Sequence, residues 1–121
     1  MAGKKMQMTG DWLYFCKEEI GVRALFEVLK DSYEAEIWEE AGVLEIVLGE
    51  KSSFDIEQVK IHPKDGITQQ FAKEQGASCV FLATFMPENY DEAERIMKLL
   101  LERFGGLFCG DTEDFMPKIR G

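Results

Sequence analysis

Residues 78–85, Ser-Cys-Val-Phe-Leu-Ala-Thr-Phe, carry apolar side chains at both parities of an extended chain. Successive strand residues point to opposite faces, so this segment reads as a central strand, covered on both sides or flanked within a sheet. The rest of the chain must therefore supply neighbouring strands and helices to cover them. At 121 residues it is long enough for one core and too short for two comfortable ones. No repeat, low-complexity tract or linker divides it, so a single domain over 1–121 is expected.

The other elements follow from periodicity. Trp12-Leu13-Tyr14-Phe15-Cys16 is a short aromatic run of strong strand preference. From Gly21 the period becomes helical, with Val22, Leu25, Phe26, Leu29 and Tyr33 on one stripe, which predicts a helix over 20–32. Two strands at 34–40 and 43–49, broken by Ala41-Gly42, predict a hairpin. Residues 54–61 alternate imperfectly and fit either an edge strand or a short helix with an extended piece. Asp65 can cap a helix over 65–75 that turns Ile67, Phe71 and Ala72 inward and ends at Gly76. Asn89 with Glu92 resembles a capping box ahead of the stripe Ala93, Ile96, Met97, Leu100 and Phe104, which ends at Gly105-Gly106. Leu107-Phe108-Cys109 closes the set as a short strand. Residues 1–10 read as a flexible N-terminus. Residues 110–121 read as a polar tail, with Phe115, Met116 and Ile119 as its only anchors. The closing stretch from Phe104 to Phe115 has the look of small bacterial α+β proteins, a likeness that transfers no residue role.

This order predicts an α+β fold: a two-layer sandwich with a mixed or antiparallel sheet, about three helices on one face, and a split βαβ-like core extended by a helix and a strand. Such folds host many chemistries, so function has to come from the side chains.

Those side chains exclude more than they nominate. Twenty-three acidic against 14 basic residues give a net charge of −9, and the cations are scattered, so a phosphate backbone or an anionic membrane is disfavoured and a basic protein partner favoured. The longest apolar runs are far shorter than a membrane span. After Lys4-Lys5 come Gln7, Thr9, Gly10 and Asp11 in place of an apolar signal region, which predicts a cytoplasmic chain. Cys16, Cys79 and Cys109 are odd in number and widely spaced among apolar neighbours, and read as buried free thiols. Together with His62 they could number a zinc site, but they lack paired ligand spacing. His62 is the one histidine and sits by Pro63 in a predicted turn without a catalytic partner. Asp111, Glu113 and Asp114 lack the pattern of a calcium loop. No glycine-rich phosphate loop and no nucleophile elbow occurs, so no catalytic residue, metal ligand or cofactor is assigned.

One segment stands apart, Tyr33-Glu34-Ala35-Glu36-Ile37-Trp38-Glu39-Glu40. As a half-buried strand it turns Ala35 and Ile37 to the core and Glu34, Glu36, Trp38 and Glu40 outward. An aromatic anchor among charges is the composition of a protein-binding hot spot. The function expected is a small acidic, non-enzymatic interaction domain, of the inhibitor or immunity type, that binds a basic partner through these four residues. The alternative is a small enzyme or ligand-binding domain that uses carboxylates without a cofactor motif.

Overall fold

The computed structural model describes residues 11–61, 64–112 and 115–120. Seven strands form one sheet: β1 (Asp11–Cys16), β2 (Ala35–Trp38), β3 (Val43–Gly49), β4 (Ser52–Val59), β5 (Cys79–Thr84), β6 (Leu107–Gly110) and β7 (Lys118–Arg120). Their spatial order is β2-β3-β4-β5-β1-β6-β7. Every neighbouring pair is antiparallel. Three helices cover the sheet: α1 (Val22–Leu29), α2 (Gly66–Glu74) and α3 (Tyr90–Phe104). The α+β class with an antiparallel sheet is as the sequence predicts. None of the helices is long and apolar enough to cross a membrane.

Each strand sorts its residues by parity. On one face Trp12, Tyr14, Cys16, Leu44, Ile46, Phe54, Ile56, Phe81 and Ala83 meet the buried stripes of α1 (Val22, Leu25, Leu29) and α3 (Ala93, Ile96, Met97, Leu100, Leu101, Phe104). On the opposite face Leu13, Phe15, Val80, Leu107 and Cys109 form a smaller core with Ala72 of α2 and with Phe115. Two helices thus share the expected face, and the third crosses to the other side. The cause is the strand that is apolar on both sides, together with its neighbour β1: Leu13, Phe15 and Val80 need a cover of their own. Phe71 supplies it, set edge-on to Phe15 at 5.2 Å and stacked on Phe115 at 4.1 Å.

Several local expectations are corrected. Residues 52–59 form a strand interior to the sheet, paired with β3 and β5, and not an edge or a helix. The broken alternation at Glu57-Gln58 falls where the core ends, and Gln58 reaches the Ile20 carbonyl there (3.4 Å). Asp65 does cap α2 by accepting from the Thr68 N–H at 3.0 Å, but Ile67 is 69% exposed and not turned inward. Asn89 makes no side-chain cap on α3. Glu92 accepts from the Tyr33 hydroxyl (3.1 Å) and from Arg95 (3.0 Å) instead of closing a capping box. The presumed tail buries Phe115 and adds β7 beside β6, with Ile119 against the larger core and Met116 exposed. The split βαβ unit lies at β5-α3-β6, with β1 inserted, because both flanking strands run antiparallel to β1. His62, Glu113, Asp114 and residues 1–10 lie outside the described residues.

Candidate binding face

Because α2 covers only the side of the sheet built on β1, β5 and β6, the outer face of β2, β3 and β4 carries no helix among the described residues. Strand register brings remote residues together on it. Glu36 of β2 lies opposite Glu45 of β3, Glu45 opposite Asp55 of β4, Asp55 opposite Thr84 of β5, and Thr84 opposite Asp11 of β1. Directly opposed side chains have Cβ atoms about 4.5–5.5 Å apart, so Glu36, Glu45 and Asp55 are three consecutive carboxylates in one row across three strands. The next row reads Trp38, Val43, Glu57, Leu82 and Leu13. The two rows enclose an open hollow of about 380 Å³, lined by Trp38, Val43, Glu45, Asp55, Glu57 and Leu82 among others.

No described cation forms an ion pair with these charges. Glu34, Glu36, Glu40, Glu45, Asp55 and Glu57 have no ion pair among the described residues, and one oxygen of Asp55, Oδ1, is shut off from solvent without a hydrogen-bond donor. The Thr84 hydroxyl beside it donates to Asp11 at 3.3 Å. On the helical side four acids are matched, Glu27 with Arg23 and Lys30, Glu39 with Arg23, Glu92 with Arg95, and Glu94 with Lys98, while Asp91 and Glu102 of α3 have no ion pair among the described residues. Like charges placed directly opposite on a sheet destabilise it. The outer face therefore concentrates uncompensated negative potential around a half-exposed indole.

Of the residues predicted from sequence, Glu34, Glu36 and Trp38 are exposed as the alternation requires, with Ala35 and Ile37 partly buried beneath. Glu36 and Trp38 enter the two rows. Glu40 does not, because β2 ends at Trp38 and Glu39–Ala41 form a 3₁₀ turn. Glu45, Asp55 and Glu57 were missed. Their signal was an acid between apolar neighbours in Leu44-Glu45-Ile46 and Phe54-Asp55-Ile56-Glu57, but only the pairing of β2, β3 and β4 puts them beside Trp38.

A second acidic group lies at one end of the sheet. Burial, and then the charges of Asp11 and Asp65, push the Asp111 carboxyl above its ordinary range. An acid held up in this way keeps protons in the folded state that the unfolded chain has lost, so stability falls as pH rises from the ordinary carboxylate range through the raised value. Asp111→Asn is expected to raise Tm at pH 7, by an increment that shrinks as pH approaches about 4. Melting curves across that range check it, and a constant increment would assign the effect to packing. No group of three or more His, Cys, Asp or Glu side chains among the described residues is placed to hold a metal ion.

Compared with protein-family models, curated proteins and solved structures, the chain matches none.

Proposed function

We propose that this chain is a non-enzymatic interaction domain that binds a basic protein, as an inhibitor or immunity-type protein does, through the outer face of β2, β3 and β4. The observation that carries this reading is the row itself: Glu36, Glu45 and Asp55 are directly opposed across three strands with no ion pair among the described residues, whereas Glu27, Glu39, Glu92 and Glu94 on the helical side each have a cationic neighbour. A row of opposed carboxylates costs the free protein stability, and Arg or Lys side chains of a partner would remove that cost on docking. Arginine suits the site in two ways, since its guanidinium pairs with carboxylates in a fork and lies flat on an indole such as Trp38.

The test begins by capturing partners on the wild-type chain, on a Glu45→Gln/Asp55→Asn/Glu57→Gln variant, and on a control that neutralises Glu92 and Glu94 of α3. A basic protein held by wild type and control but lost by the sheet-face variant is expected. Its association rate should fall steeply with salt as the Debye length shortens to about 8 Å at physiological ionic strength. Glu36→Lys should mainly slow association. Trp38→Ala should raise the dissociation rate about tenfold or more, as truncating a central anchor by about 1.4 kcal/mol does. Retention by the sheet-face variant, or association indifferent to salt, would reject the reading. A small cationic molecule bound in the hollow, with no protein partner, would replace it with the ligand-binding alternative.

A further inference from the structure

Cys16 and Cys79 lie 63 positions apart in sequence and directly opposite one another in the sheet, as the last register pair of β1 and β5. Their side chains share the face under α1 and α3, where Cys16 is fully buried and Cys79 is partly exposed. Directly opposed residues of antiparallel strands have Cα atoms about 4.5–5.5 Å apart, inside the range a disulfide bridges. Cys79 Sγ donates to the Glu18 carbonyl at 3.1 Å. Cys79, partly exposed, is among the residues that line a surface hollow of about 450 Å³ with Gln58, Lys60, Gln69 and Ser78. Cys109 is different: it lies on the opposite face, fully buried, with no cysteine opposite it.

We infer that Cys16 and Cys79 form a dithiol site for small disulfides of the glutathione type, oxidised reversibly to a cross-strand disulfide while Cys109 stays a free thiol. The Cys79 thiolate attacks one sulfur of the small disulfide, a mixed disulfide forms on Cys79, and one small thiolate leaves. Cys16 then attacks the Cys79 sulfur and expels the second small thiolate. The two protons of the protein thiols end on the two leaving thiolates, so two protein thiols are oxidised and one small disulfide is reduced to two thiols. The neighbouring Cys79 thiol brings the Cys16 thiol down to about 7, and the same contact together with burial raises Cys79, so the pair shares one proton that passes to Cys16 as Cys79 attacks, while burial holds Cys109 up to about 12. Tyr14, Glu18 and Glu19 are the other ionisable groups around the pair.

The experiment incubates the full-length chain with glutathione disulfide and maps its peptides without reduction. One intramolecular link between Cys16 and Cys79 is expected, reversed by excess reduced glutathione, with Cys109 unmodified. Cys16→Ser should trap glutathione on Cys79, and Cys79→Ser should take it up at least about tenfold more slowly, because the remaining sulfur is buried. Three unmodified thiols in the wild-type chain, a link through Cys109, or adducts on Cys109 as fast as on Cys79 would overturn the inference, whichever variants fold.

Discussion

Gly106→Ala is expected to destabilise the fold by about 3 kcal/mol or more, a large share of the roughly 5–15 kcal/mol that holds such a domain together. Gly106 has φ +93°, and a Cβ built there lands on the Phe15 carbonyl oxygen of the central strand β1. Neither atom can yield cheaply, because the next residue, Leu107, is already paired with Phe15. Gly76 separates the two contributions: its φ is +67° and its Cβ would meet open space, so Gly76→Ala carries only backbone strain, about 1–2 kcal/mol. Urea unfolding of both variants, read from the midpoint at constant slope, checks the difference. Equal losses would mean that the approach to Phe15 relaxes.

Phe108→Ala is expected to cost about 3–5 kcal/mol, in the range for deleting a buried aromatic side chain. Phe108 is fully buried on β6, opposite Tyr14 on β1, and the rings stack at 4.2 Å between centroids with 4° between planes. The Tyr14 hydroxyl in turn donates to the Gly105 carbonyl at 2.7 Å, where α3 hands the chain to β6. Tyr14→Phe should therefore cost a smaller, separable amount, about 1–2 kcal/mol for the lost hydrogen bond. Thermal melts of the two single variants and the double variant measure the coupling. Strict additivity would show that ring stack and hydroxyl act independently.

How far these features could be read in advance depended on the range of the interactions that make them. The helix over 90–104 and the strands at 11–16 and 43–49 announce themselves locally, since their apolar periods are long and little else fits them. The strand at 52–59 does not, because the polarity of Gln58 reflects where the core stops and not what the backbone does. The side taken by α2 was implied by the two-sided apolarity of residues 78–85, yet its own stripe is narrow, with only Ala72 buried, and so gave little direction. The candidate face was half legible: alternation exposed Trp38 and Glu36, while the partners Glu45 and Asp55 depend on strand order. The Cys16–Cys79 pairing was invisible for the same reason, as no local pattern shows which distant strand lies alongside β1.

The position of β1 between β5 and β6 has a consequence for how the protein is made. The first described strand of the chain is central in the finished sheet, and its partners begin at Cys79 and end at Gly110. On a ribosome β2, β3 and β4 can zip into successive hairpins early, whereas β1 must wait until β5 and β6, residues 79–110, have emerged. Contact order is correspondingly high, and sheets closed late by such distant pairings fold slowly. Through that interval the aromatic run Trp12-Leu13-Tyr14-Phe15 stands with both edges unpaired, the segment on which a chaperone or an aggregating neighbour would first take hold.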